Sequence, residues 1–209
     1  MFRKRGMLTS NVAEGYGFIK TNPELEFADI EIIFTPVAFI GEGLLQPPEH
    51  GLTVGAILLQ PQSSGTISLS SKDPLSKAMV DPQYLTDPAG KDRETLIAGL
   101  TVCEKLFRTE AFAPHLAAGY LMPENADHLG VAELIDLAIN RHAQTLYHPV
   151  GTARMGLDQH SVVDPELRVR GVAGLRVADA SIMPNIIRGH TNAASIVIGE
   201  KAAELLRAG

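Results

Sequence analysis

The spacing of the hydrophobic positions changes near residue 90. Before that point, short runs rich in Ile, Val, Leu and Phe predict β-strands over residues 29–40, 52–60 and 65–70. The Pro-Gln-Ser-Ser-Gly link at 61–65 has turn chemistry, so we expect the last two strands to form a hairpin. The first part of the chain is therefore predicted to be an antiparallel sheet.

After Ala89 the apolar residues recur at the period of a helix. One helix is predicted from the spacing of Leu96, Leu100, Cys103 and Phe107. Further helices are predicted over 131–142 and 192–207, with short strands over 167–170 and 175–178. The expected fold class is α+β: an antiparallel sheet packed with helices, followed by a terminal strand and helix of different character.

Composition narrows the class of protein. Of the 209 residues, 45% are hydrophobic and 20% charged, as in ordinary globular domains. The net charge is -6 and no basic tract exceeds Arg3-Lys4-Arg5, so no nucleic-acid partner is expected. No run reaches the roughly 20 apolar residues of a membrane helix, and no apolar signal-peptide region follows the N-terminus. We expect a soluble, cytoplasmic protein without a transmembrane segment, in which Cys103 is a buried structural thiol.

A first candidate for chemistry is His148, in the segment 147–156 (YHPVGTARMG). Pro149 disfavours helical geometry at His148, and the small residues that follow permit close approach of a flat ligand. A histidine on such a rigid turn suits proton abstraction near neutral pH. The alternative is a histidine at a helix C-terminus, stabilised there by the helix dipole.

A second candidate is His190, in the segment 189–196 (GHTNAASI). Asn192 is a good N-cap, and the small residues of the predicted first turn leave backbone N–H groups open to negative charge. The alternative is an ordinary capped helix beside a structural histidine. Residues 151–156 have the outer spacing of a phosphate loop but lack its Gly-Lys-Ser/Thr, and we exclude that motif.

Together, the two segments resemble the C-terminal signature of the glucose-methanol-choline (GMC) oxidoreductase family. The match extends to Leu206. Its residues are Tyr147-His148-Pro149, 151–156, Val162-Val163-Asp164-Pro165, Leu167-Arg168-Val169, Gly171-Val172, Leu175-Arg176-Val177, Asp179-Ala180-Ser181, Pro184, 189–193 and 199–203. Leu8-Thr9-Ser10-Asn11 and the strand run to Leu69 resemble the family's substrate domain, so the resemblance covers nearly the whole chain.

The resemblance implies an FAD-dependent oxidation of an alcohol to an aldehyde, with hydride transfer to flavin N5. His148 stands at the position of the family's catalytic base. His190 stands where the family has a second His or Asn, which donates a hydrogen bond to the substrate oxygen. His at that position favours aryl-alcohol or glucose oxidation over choline oxidation. The residues implied to lie against the FAD are Asp179, Ala180, Asn192 and Ala193.

The resemblance also implies a division into domains. Residues 1–165 correspond to the substrate-binding domain, and residues 166–209 to the last strand and helix of the FAD-binding domain. The family's Gly-rich βαβ unit for the FAD pyrophosphate is not in this sequence. We therefore expect a truncated product, an isolated fragment, or one half of a split enzyme whose partner is a separate N-terminal FAD-domain chain.

Two other classes of function are weighed against this hypothesis. One is a catalytically silent binding module that keeps the fold but cannot hold FAD, which would be colourless when purified. The other is a metal-dependent hydrolase using His142, His148 and His190, which bound zinc would reveal. The histidine spacing favours the metal-dependent hydrolase only weakly, and no metal is expected.

Overall fold

The computed structural model describes residues 10–47, 49–116 and 119–208, and it confirms the α+β class. Leu8-Thr9 of the family resemblance and the basic tract at 3–5 lie outside the described residues. The chain forms two compact units. Unit 1 comprises the described residues up to Leu58 together with Lys91–Gln144, and unit 2 comprises Leu59–Gly90 and the described residues from Thr145 onward.

Unit 1 contains a three-stranded antiparallel sheet. Its strands are β1 (Gly15–Ile19), β2 (Ile30–Thr35) and β3 (Thr53–Leu58), in the order β1-β2-β3. The predicted strand over 29–40 ends early because Pro36 follows β2, and proline has no N–H to donate to a sheet. The predicted strand over 52–60 corresponds to β3.

Two helices complete unit 1, α1 (Lys91–Phe107) and α2 (Val131–His142). Helix α1 packs on β2, on β3 and on α2. A Cβ atom at Gly99 would lie 2.9 Å from the Ala56 Cβ, so glycine permits this close approach of helix to sheet. Cys103 is buried in this core, as predicted, and burial raises the pKa of its thiol to about 12.

Unit 2 contains a short hairpin and one long helix. The hairpin pairs β4 (Thr66–Ser68) with β5 (Met79–Asp81), and the helix is α3 (Asn192–Ala208). A short 3₁₀ helix at Ala180–Ile182 contacts α3. The buried core of this unit consists of Val163, Leu167, Ile182 and Ala202.

The three helices agree with the helical periodicity of the sequence. The predicted bounds 131–142 are those of α2, and α3 extends one residue beyond the predicted 192–207. Among the described residues, no helix is long and apolar enough to cross a membrane.

The predicted hairpin between β3 and β4 is wrong. Strand β3 pairs with β2, and β4 pairs with β5. The turn residues at 61–65 instead follow the point where the chain passes from unit 1 to unit 2, at Leu59. Turn chemistry identifies a change of direction, but it does not identify which strand the chain pairs with next.

Two strands were not predicted. In β1 the two glycines at 15 and 17 lower the β-propensity, and β5 is short and exposed, with Pro82 directly after it. The predicted strands over 167–170 and 175–178 do pair, since Val169 N donates to Leu175 O and Val177 N to Leu167 O. They form one isolated bridge, between Arg168 and Arg176, rather than a regular ladder.

A buried carboxylate stabilises the C-terminal half of α1. Glu104 is 6% exposed, and its Oε2 accepts a hydrogen bond of 2.6 Å from the Tyr120 hydroxyl. Arg108 Nε donates to the other oxygen at 2.9 Å. Burial, together with the Glu104 carboxylate, raises the pKa of Tyr120 to about 12.

We predict that Tyr120→Phe lowers the free energy of unfolding by about 1–3 kcal/mol, since it removes a hydrogen bond to a buried charge. Because the folded-state pKa of Tyr120 is raised, the tyrosine contribution is complete below its unfolded value of about 10 and is lost as the pH rises toward about 12. Denaturant unfolding at pH 8 and pH 11 should show a smaller alkaline loss in Tyr120→Phe than in the parent.

The matched control is Tyr16→Phe, in the same unit, where the tyrosine is 69% exposed. It should change stability by less than about 0.5 kcal/mol. Equal stabilities for the two Tyr→Phe variants at both pH values would contradict the role given to Tyr120.

Candidate active site

His148 lies in a loop of unit 2 rather than at a helix end. Helix α2 already ends at His142, so the alternative of a histidine at a helix C-terminus is wrong. The residue before it, Tyr147, has a φ of 63°, in the left-handed region that bulky side chains rarely adopt. Such strained backbone is concentrated at functional sites, and here it turns the chain directly before the half-buried imidazole of His148.

His190 lies two residues before the start of α3. The helix begins at Asn192, and the Thr191 carbonyl accepts the Ser195 N–H at 2.9 Å as the first helical hydrogen bond. Thr191 therefore stands at the N-cap, and the expectation that Asn192 caps the helix is wrong by one residue. The side chains of His190 and Asn192 are exposed at this end of unit 2.

The two imidazoles are in direct contact. His148 Nε2 lies 2.8 Å from His190 Nδ1, and the rings are nearly perpendicular, at 82°. At most one hydrogen fits between these two nitrogens, because two N–H donors facing each other would repel. The structure thus brings together two histidines that are far apart in the sequence but were singled out independently.

Thr191 contacts the histidine pair at the other ring nitrogen of His148. Its hydroxyl oxygen lies 2.9 Å from His148 Nδ1, and the residue is only 7% exposed. Both ring nitrogens of His148 are thus engaged, one by a hydroxyl and one by an imidazole. Thr191 was not among the residues predicted from the sequence. The signal that could have found it was a threonine between a candidate histidine and a helix start.

Two backbone hydrogen bonds join the segment after His148 to the turn before α3. Ala153 N donates to Ser181 O at 3.0 Å, and Met155 N donates to Ile182 O at 2.8 Å. Gly151 has a φ of 85°, and a Cβ there would lie 3.5 Å from the Met183 carbonyl. The positive φ therefore favours glycine at this crossing, whereas a Cβ at 3.5 Å would make only an ordinary contact.

The four residues implied to contact FAD lie on neighbouring parts of unit 2. Asp179 is exposed, and its Oδ1 accepts the Ser181 N–H at 2.8 Å, which caps the short helix that contains Ala180. Hydrogen bonding from Ser181 holds the pKa of the Asp179 carboxyl below its usual value. Asn192 and Ala193 are both exposed on the first turn of α3.

A metal centre receives no support. His142 lies in α2 of unit 1, whereas His148 and His190 lie in unit 2. Within the described ranges, His, Cys, Asp and Glu form no group of three or more that could hold a metal ion. The arrangement is instead suited to proton transfer, since one imidazole can accept a proton while the other holds the donor oxygen.

The comparisons with known proteins identify the class. A family model described as GMC oxidoreductase matches residues 61–199. The chain therefore belongs to the GMC oxidoreductase family, whose members are FAD-dependent oxidoreductases acting on alcohols. This confirms the resemblance inferred from the histidine segments.

Individual relatives agree with the family model. The chain is 51% identical to an uncharacterized GMC-type oxidoreductase of Mycobacterium tuberculosis over 99% of this chain and 39% of that protein. It is 41% identical to the alcohol dehydrogenase (acceptor) of Pseudomonas putida, over 99% of this chain and 36% of that protein. It is 26% identical to the crystal structure of pyridoxine 4-oxidase from Mesorbium loti, with a TM-score of 0.79, over 95% of this chain and 38% of that one. The chain thus spans less than two fifths of the length of these relatives.

We predict that the Asp179 cap stabilises the turn to which the segment after His148 is tied. Asp179→Ala removes the acceptor for Ser181 N–H and should lower the free energy of unfolding by about 1 kcal/mol, the usual value of an N-cap. The lowered pKa of Asp179 means that its contribution is present above the unfolded carboxyl pKa of about 4 and is lost as the pH falls below it.

Asp179→Asn is the matched control, because the amide oxygen can accept the same hydrogen bond without the charge. Its denaturation midpoint should stay close to that of the parent at pH 7. If Asp179→Asn and Asp179→Ala lower the free energy of unfolding equally, the capping hydrogen bond is not what stabilises this turn.

Proposed function

We propose that the chain carries the proton-transfer site of an FAD-dependent oxidoreductase that converts the CH–OH group of an alcohol to an aldehyde. The observation that carries this proposal is the 2.8 Å contact between His148 Nε2 and His190 Nδ1. The family membership supports the same reaction, as does the 41% identity to a protein named alcohol dehydrogenase.

In this proposal His148 is the base. Its Nε2 accepts the hydroxyl proton of the alcohol, the C–H hydrogen leaves the carbon with its bonding electrons, and the C–O single bond becomes a double bond. The strained turn at Tyr147 and the hydroxyl of Thr191 hold the ring in one orientation. Proton transfer depends first on such positioning, and a positioned base typically contributes about 10²–10⁴-fold.

His190 is proposed to hold the substrate oxygen. Its ring lies nearly perpendicular to that of His148 and on the exposed side of the pair. An alcohol oxygen at this edge would receive a hydrogen bond from one imidazole while giving its proton to the other. Such a bond strengthens as negative charge develops on the oxygen, which lowers the barrier rather than only the dissociation constant.

The first turn of α3 and the turn that contacts it support the assignment of a cofactor that carries negative charge when reduced. Asn192 and Ala193 are exposed on the first turn of α3, where helix N–H groups favour an anion, and Asp179 and Ala180 lie on the turn that contacts α3. We assign these four residues to hold FAD. FAD, when bound, supplies the acceptor at flavin N5 for the hydride that leaves the carbinol carbon.

The domain assignment belongs to the same proposal. Residues 166–209 are assigned to the FAD-binding domain and residues 1–165 to the substrate-binding domain. Helix α3 supports this, because Ile196, Val197 and Leu206 are 59%, 66% and 62% exposed, a large apolar area for a surface helix. We propose that this face packs against an FAD domain, supplied by the same polypeptide or by a separate chain.

The first test requires the flavoprotein in which the chain is joined to a GMC dinucleotide domain. His148→Ala should slow flavin reduction in stopped-flow by about 10²–10⁴-fold, with a much smaller change in the affinity for an alcohol analogue. In the parent the reductive rate should fall at low pH, because protonated His148 cannot accept a proton, and this acid limb should disappear in His148→Ala.

Substitutions at His190 and His160 complete that test. His190→Asn keeps a hydrogen-bond donor and should be less impaired than His190→Ala. His160, an exposed histidine of the same unit, is the matched control, and His160→Ala should reduce flavin at the parental rate. Parental rates in His148→Ala, with a loss in another histidine variant, would rule out His148 as the base.

A separate test concerns the cofactor. Within its 209 residues the chain has no Gly-x-Gly-x-x-Gly unit to bind a pyrophosphate. We therefore predict that the 209-residue polypeptide, purified alone, is colourless and binds added FAD weakly or not at all by absorbance and calorimetry. Tight, stoichiometric FAD in that preparation would contradict the prediction. A colourless protein that stays inactive after a dinucleotide domain is supplied would favour the silent binding module instead.

A further inference from the structure

Thr191 uses both its side chain and its backbone at the edge of the candidate active site. Its hydroxyl oxygen lies 2.9 Å from His148 Nδ1. Its carbonyl accepts hydrogen bonds from the backbone N–H and the hydroxyl of Ser195, at 2.9 and 2.8 Å. With only 7% of the residue exposed, its hydroxyl is fixed in position by the start of α3.

We propose that Thr191 is a positioning residue that selects the tautomer of His148. Its hydroxyl oxygen accepts the Nδ1–H of His148, so that the Nε2 lone pair faces His190 Nδ1, 2.8 Å away. The inference rests on the proposed function in one respect, namely that Nε2 of His148 is the atom that takes the substrate proton.

The chemistry of imidazole explains why this matters. A neutral imidazole carries one hydrogen, and if that hydrogen is on Nε2, this nitrogen cannot accept another. A hydroxyl can donate or accept, and when it accepts from Nδ1 it favours the tautomer in which Nε2 is basic. When Nε2 takes a proton, the ring becomes positively charged and the hydrogen bond to Thr191 becomes a stronger, charge-assisted one. The hydroxyl therefore favours both the reactive tautomer and the protonated product of the step.

Burial gives the hydroxyl its importance. His148 is half-buried and Thr191 is buried, so solvent reaches the Nδ1 side of the ring poorly. Without the hydroxyl, an Nδ1–H group would face an apolar contact, which costs more than an unmade bond at the surface. The ring would then change its tautomer or rotate, and either change removes the Nε2 lone pair from its position beside His190.

The experiment compares three variants in the complete flavoprotein. Thr191→Val replaces the hydroxyl with a methyl group of similar size, and Thr191→Ser keeps the hydroxyl. Ser195→Ala is the matched control, because it also removes a hydroxyl at the start of α3. The Ser195 hydroxyl donates to the Thr191 carbonyl and not to His148. Long-range ¹⁵N–¹H spectra of ¹⁵N-histidine-labelled protein report the tautomer of His148, which is assigned by its absence in His148→Gln. Stopped-flow reports the rate of flavin reduction.

We expect Thr191→Val to lose the Nδ1–H pattern of His148 and to slow flavin reduction by about 10- to 100-fold, the range for one hydrogen bond to a charged group. Substrate affinity should change by less than about threefold, since the bond acts on the base. Thr191→Ser should restore the Nδ1–H pattern and most of the rate. Ser195→Ala should keep the parental tautomer and rate.

An unchanged ¹⁵N–¹H spectrum of His148 in Thr191→Val would overturn the proposal, even if the variant melted at a lower temperature. A residue that stabilises only the helix start would change the melting temperature and leave the tautomer unchanged. Recovery of the pattern in Thr191→Ser is required as well. Failure of the proposed function is recognised separately, as a His148→Ala variant that reduces flavin at the parental rate while the spectra of Thr191→Val still show the altered tautomer.

Discussion

Two backbone hydrogen bonds, from Ala153 N to Ser181 O and from Met155 N to Ile182 O, connect the two segments that form the candidate site. The loop that carries His148 leads into the segment that contains Ala153 and Met155. The segment that contains Ser181 and Ile182 leads on to His190 and α3. Because the bonds are made by the backbone, they depend on the path of the chain and only indirectly on the side chains.

The hydrophobic core of unit 2 adjoins that junction. Ile182 accepts one of the two hydrogen bonds through its carbonyl and buries its side chain with Val163, Leu167 and Ala202. Met155, which donates the other bond, packs against the same cluster. The junction and the core therefore share Ile182 and Met155, and burial of the apolar side chains helps to fix the backbone that leads to the imidazoles.

The polar part of the site uses helix termini in two ways. At the start of α3 the backbone N–H groups favour negative charge. The hydroxyl of Thr191, the residue before the helix, contacts Nδ1 of His148. A threonine at such a position would ordinarily serve the helix alone. Here its hydroxyl links the helix start to the imidazole, so a displacement of α3 also displaces His148.

The sequence by itself determined the helices, the α+β class, the buried Cys103 and the two histidine segments, because each rests on a local pattern. Apolar periodicity defined α1, α2 and α3, and the neighbours of His148 and His190 carried the family resemblance. Local patterns could not decide pairing, so the hairpin between β3 and β4 was predicted wrongly and β1 was missed. Only the tertiary structure decided that His148 meets His190 and that Thr191 lies behind them. These contacts join residues distant in the chain, and their geometry follows from the packing of unit 2 rather than from spacing in the sequence.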